Sequence, residues 1–152
     1  MSNPSSALER CTEELNHPRV TVKAHGRSAT FLNPEKAKIR RIDVDCWLHG
    51  VDTAKSDYVL CKTGSADVIV ELKGKDIHHA IDQIVATHAH WMRTPSCAAK
   101  TGALVVFTRS PERSATLDTI KAKLLAKYGI WLEMGKSGLK DYEFMTFTQA
   151  RS

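Results

Sequence analysis

No apolar run in this chain approaches the roughly 18 residues that a membrane-spanning helix requires, which excludes a helical anchor of that kind. The opening residues, MSNPSSALER, lack the apolar stretch of a signal peptide, so the expected address is the cytosol. There is no Cys-x-x-Cys pair and no Cys/His cluster, which removes a structural zinc site from consideration. The four cysteines, Cys11, Cys46, Cys61 and Cys97, are dispersed and are expected as reduced thiols. Cys46 and Cys61 fall inside apolar alternations, where a small buried side chain is the ordinary reading. No repeat or low-complexity tract argues for a solenoid or linker, and no aromatic series forms a stacking platform for single strands. Trp47, Trp91 and Trp131 are expected to pack in the core or at its edges.

What is present is an ordinary globular composition: 152 residues, 42% apolar and 26% charged. That length suits one domain, residues 1–152, around one sizeable core, with residues 1–6 expected to be loose. A formal charge of +5 makes a polyanionic partner plausible without identifying one.

Along the chain, ALERCTEELNHP supports a short helix stopped by Pro18, and residues 17–35 read as a strand fragment plus loop. Ile42, Val44, Cys46 and Leu48 alternate with polar or outward residues, the period of a strand beginning near Lys38. DYVLCK and DVIVELK, joined by a turn at TGSA, continue it as an antiparallel three-stranded meander. After Gly74 the period changes: Ile77, Ala80, Ile81, Ile84, Val85, His88 and Met92 form the stripe of an amphipathic helix capped by Asp76. ALVVFT suits a strand covered on both faces, Ser110 and Pro111 open a helix over 111–128, and IWLEM and YEFMTF close the chain as two short strands. The expected fold is therefore α/β: a three-layer α-β-α sandwich around a mixed central sheet, with core order αβββαβ.

The chemistry concentrates in ADVIVELKG. Strand alternation places Asp67, Ile69, Glu71 and Lys73 on one face, with Glu71 and Lys73 roughly 7 Å apart. A hairpin turning near 62–66 brings Asp57 opposite Glu71. Two carboxylates held that close need a cation between them, and Mg²⁺, which binds one or two carboxylates and keeps its waters, answers that need. A neighbouring lysine can act on a bound water or on a phosphate, the parts required for metal-assisted phosphodiester hydrolysis.

Asp57, a gap of thirteen residues and then Glu71-Leu72-Lys73 resembles the D-x(n)-E-x-K signature of the PD-(D/E)XK nuclease superfamily, and residues 7–108 carry that superfamily's αβββαβ order. Ser56 stands where many members have Pro. The resemblance implies a metal-dependent nuclease in which Asp57, Glu71 and the Leu72 carbonyl bind Mg²⁺, or Mn²⁺ in its place, with Lys73 and Gln83 as further catalytic groups. It also implies a metal-proximal glutamate on the first helix, for which Glu14 or Glu13 qualifies, with Glu35 a third candidate. DNA is the expected substrate and RNA stays open, as does a non-catalytic nucleic-acid or protein-interaction module on the same fold. Specificity is expected from a homodimer, a partner protein or substrate shape.

Other charged residues have simpler readings. Asp43 and Asp45 are expected on a solvated face, and His88 in the core. Lys55 and Lys75, each two residues from a proposed site residue, are candidates for phosphate contact, with His79 beside them. Lys36, Lys38 and Arg40, on one side of an extended segment, are a further set of candidates.

Overall fold

The computed structural model describes residues 4–74, 76–95, 100–107, 115–138 and 140–148. In chain order these form α1 (Pro4–Arg10), β1 (Thr12–Leu15), β2 (Arg19–Ala24), β3 (Arg27–Leu32), β4 (Ile39–Asp43), α2 (Val44–Trp47), β5 (Tyr58–Lys62) and β6 (Ala66–Gly74). There follow α3 (Ile77–Trp91), β7 (Thr101–Phe107), α4 (Ala115–Tyr128), β8 (Ile130–Lys136), β9 (Asp141–Glu143) and a 3₁₀ helix over Phe144–Thr148. The expected helix start at Ser110 and Pro111 lies outside the described residues.

The main sheet has six strands in the order β1-β4-β5-β6-β7-β8. Its pairings are antiparallel from β1 to β6 and parallel from β6 to β8. The meander is thus β4-β5-β6, and α3 makes the crossover that a parallel β6–β7 pair requires. Side-chain alternation divides the core in two. Ile69 meets Ile84 and Trp91 of α3 and Leu124 of α4, while Val68, Val70 and Leu72 point to the opposite face.

That opposite face corrects the expected sandwich. Among the described residues it is covered by a three-stranded sheet, β2-β3-β9, and the 3₁₀ helix, not by a second helical layer. Residues 19–32 form a full hairpin because Val20, Val22, Ala29 and Phe31 alternate inward on either side of the His25-Gly26 turn. YEFMTF is a strand only as far as Glu143. Phe144 and Phe147, three apart, are both buried by the tighter 3₁₀ turn. Gly102 lies directly beneath Phe147, so a side chain there would run into its ring.

Three local expectations also fail. The first helix begins at Pro4, earlier than expected, and stops at Arg10. Thr12–Leu15 then pairs as a strand, with Glu13 and Glu14 opposite Arg41 and Arg40, a cross-strand charge match invisible to local pattern. The strand expected through Leu48 ends at Asp43, whose carboxylate accepts the Cys46 N–H at 3.1 Å and starts α2. Val44 and Leu48 are buried one helical turn apart, so their spacing fits both periods.

Cys11 and Cys46 form a disulfide, with Cα atoms 5.7 Å apart across 35 residues of sequence. The expectation of reduced thiols therefore holds for buried Cys61 and fails for this pair. Cys46 is exposed, because α2 turns it away from the core. The Asp43 N–H donates to the Cys11 carbonyl, so backbone pairing and disulfide bring the same two segments together. Cys97 lies outside the described residues.

His88 occupies the buried stripe of α3, edge-on to Tyr128, and burial holds its imidazole below the usual histidine range. Protonation consequently favours the unfolded chain. The contribution is intact above about pH 6.5 and is lost as the pH falls from there through the lowered folded value. A His88→Gln variant is expected to show a flatter decline of Tm across that window in thermal melts. A decline as steep as that of the parent protein would assign the pH dependence to other groups.

Candidate active site

The β5–β6 register builds the site. Tyr58 pairs with Val70, and the Asp57 N–H donates to the Val70 carbonyl at 3.0 Å, so one further step sets Asp57 across from Glu71. Alternation turns Asp57 to the side of Val59 and Cys61, and Glu71 to the side of Ile69, the face that the helices cover. Glu71 is buried, at 2% exposure. Asp57 is partly exposed, and both of its oxygens are engaged: Oδ2 accepts the Leu72 N–H at 2.7 Å and Oδ1 lies 3.1 Å from His25 Nε2. Because β5 begins only at Tyr58, this carboxylate takes the place of a ladder carbonyl at the strand's end.

The crossover helix forms the adjoining wall. The Ser56 N–H donates to Thr87 Oγ1 at 2.8 Å, which fastens the strand approach to α3. One turn earlier, Gln83 Nε2 donates to the Lys55 carbonyl at 3.0 Å. Gln83 Oε1 is buried and has no hydrogen-bond partner among the described residues.

Asp57, Glu71, Gln83, Lys55 and His79 all line one cleft of about 780 Å³. The structure thus brings together five of the residues selected from sequence. Lys73 lies in β6, but its side chain falls outside the described residues, as does the whole of Lys75. The Leu72 side chain is buried toward the second sheet, and its main chain sits beside Asp57 through the bond already given.

The remaining candidates stand elsewhere. Glu14 is 3.7 Å from Lys38 on β1, Glu13 is 2.8 Å from Arg41, and neither lines the cleft. The expected helix carrying a metal-proximal glutamate is instead an edge strand, separated from β6 by β4 and β5. Glu35 pairs with Lys62 at 2.6 Å, and that hydrogen bond holds its carboxyl below the usual range. Lys36 and Lys38 line a separate groove with Glu14, and Arg40 lies opposite Glu14 in the β1–β4 register.

The cleft also contains residues that sequence reading assigned elsewhere or missed. Asp43 and Asp45 are exposed, as expected, but the face they occupy is the cleft wall; Asp76 adds another carboxylate. Tyr58 hydrogen-bonds through its hydroxyl to the Lys23 carbonyl at 3.0 Å, tying the β2–β3 hairpin to β5. Burial, reinforced by the charge of Asp43, pushes this phenol up, so it stays a neutral donor. His25 arrives from the second sheet, and its only local signal is the turn-forming His-Gly pair.

Five carboxylates around one cleft make it cation-seeking and unreceptive to a bare phosphate. No three His, Cys, Asp or Glu side chains among the described residues converge as a ligand set, which does not suit zinc. The two carboxylates of Asp57 and Glu71, lining one cleft, suit Mg²⁺ or Mn²⁺, hard ions that accept one or two carboxylates and retain several waters. Comparison of the chain with known protein families, with curated proteins and with solved structures finds no match.

Proposed function

We propose that the protein is a metal-dependent nuclease of the PD-(D/E)XK kind, hydrolysing phosphodiester bonds of nucleic acid, with DNA as the preferred substrate. The supporting observation is that Asp57 and Glu71, the residues next beyond the Tyr58–Val70 pair, line one cleft together with Gln83, whose Oε1 is buried and has no partner among the described residues. Asp57, Glu71 and the Leu72 carbonyl would hold Mg²⁺. When bound, the ion supplies positive charge to the scissile phosphate and acidifies a water.

The chain's own groups divide the remaining work. Gln83 Oε1 would accept a hydrogen bond from the attacking water and so orient it, without taking its proton, while Gln83 Nε2 stays anchored on the Lys55 carbonyl. Lys73, two positions beyond Glu71 in β6, would supply its ammonium to that water or to a non-bridging phosphate oxygen. Lys55, with no ion-pair partner among the described residues, offers charge to the incoming backbone at the cleft rim. The acidic walls keep a phosphate out until a cation has entered, which couples substrate binding to metal.

The test is a panel of plasmid, linear, branched and single-stranded DNA, together with RNA, incubated with Mg²⁺ or with chelator. Cleavage is expected with Mg²⁺ alone, and Lys73→Ala is expected to retain binding while losing cleavage. Binding with no metal-dependent cleavage on any substrate would instead make the chain a nucleic-acid-binding module.

A further inference from the structure

The β2–β3 turn is two residues long, closed by the Ala24–Arg27 pair, with His25 at φ 56° and Gly26 at φ 75°. Both central residues lie in the left-handed region, as a type I′ hairpin turn demands. Gly accepts that conformation freely, whereas a histidine there is uncommon and Asn is the preferred occupant. The turn is held from two directions: Arg27 donates to the His25 carbonyl at 3.1 Å, and the Tyr58 hydroxyl reaches the Lys23 carbonyl. The imidazole so presented crosses from the second sheet to Asp57, with Nε2 3.1 Å from Oδ1. A carboxylate oxygen only accepts, so Nε2 carries the proton.

We propose that His25 is a positioning residue for the metal-binding carboxylate of Asp57, an inference that rests on the metal-dependent reading above. With Leu72 N–H on one oxygen and His25 on the other, the carboxylate plane is fixed by two donors, and each oxygen keeps a lone pair for an ion. The less favourable residue at the turn is explained by reach: the Asn that suits the backbone ends one bond short of Asp57. Groups that orient a ligating carboxylate in this way commonly change metal affinity by roughly 10–100-fold when removed.

The experiment is calorimetric titration of Mn²⁺ alone into the full chain and into His25→Asn, His25→Gln and Asp57→Asn, with the metal-free Tm of each. His25→Asn is expected to keep or raise the Tm, because the turn improves, while binding Mn²⁺ roughly 10–100-fold more weakly. His25→Gln, whose amide N–H has the histidine's reach, is expected to recover part of the affinity. Unchanged or tighter Mn²⁺ binding by His25→Asn, with none by Asp57→Asn, would overturn the role of His25 and leave the metal site standing. A fall in Tm that tracks the affinity loss, without rescue by Gln, would make His25 a structural residue only. If the unaltered chain binds no Mn²⁺, both the site and this role are lost.

Discussion

Asp57→Asn is expected to reduce Mg²⁺-dependent cleavage on the order of 10²–10³-fold, the loss typical when one preorganised electrostatic group is removed from a reaction centre. Asparagine leaves an oxygen to accept the Leu72 N–H, so the end of β5 and the cleft wall keep their shape. What disappears is the negative charge facing Glu71. The same variant should lose the rise in Tm that Mg²⁺ gives the parent chain, because an ion at about 100 times its dissociation constant adds about 2.7 kcal/mol. Its binding to nucleic acid in chelator should tighten or stay the same, since one fewer carboxylate repels the phosphates. Cleavage at the parent rate would remove Asp57 from the mechanism and, with it, the resemblance to the nuclease signature.

The largest effect on stability is expected at Trp91. This side chain is fully buried at the end of α3, stands edge-on to Trp47 with ring centroids 5.7 Å apart, and donates its indole N–H to Asp67 at 2.8 Å. Asp67 is itself 1% exposed, near the start of β6 and four residues before Glu71. Trp91→Ala opens a cavity and removes a donor to a buried carboxylate, so a loss of about 3–5 kcal/mol is expected in denaturant unfolding. Trp91→Phe retains most of the ring and loses the hydrogen bond, for about 1–3 kcal/mol. The contact has a functional side. It pins the far end of α3 to β6, and α3 is the helix that holds Gln83 against Lys55. Equal stability of the Phe variant and the parent would show that the indole N–H contributes nothing net.

The elements that were legible in the sequence are those whose burial follows from a local period. β5, β6, α3 and β7 appear where alternation, amphipathic spacing or an all-apolar run announces them, because each meets one continuous core face. The misread segments have two compatible periods or a distant partner. Val44 and Leu48 fit a strand and a helix alike, and the Asp43 cap decides for the helix. Glu13 and Glu14 suit a helix until Arg40 and Arg41 lie opposite them in a ladder.

For the site, sequence alone implied that a hairpin of this length sets Asp57 level with Glu71; the shared face expected for Glu71 and Lys73 rests on an alternation that the irregularity in β6 between Glu71 and Gly74 interrupts. Side-chain alternation and hairpin register are local rules and need no knowledge of the rest of the chain. Only the tertiary structure decided that the second face is sheet and not helix, that Cys11 meets Cys46, and that Glu14 stands apart from the cleft. Only it, too, showed that Asp43, Asp45 and His25 complete the cleft wall. Each of those outcomes depends on which segments, tens of residues apart, share a surface. Free energy of burial fixes that choice globally, and no window of neighbouring residues contains it.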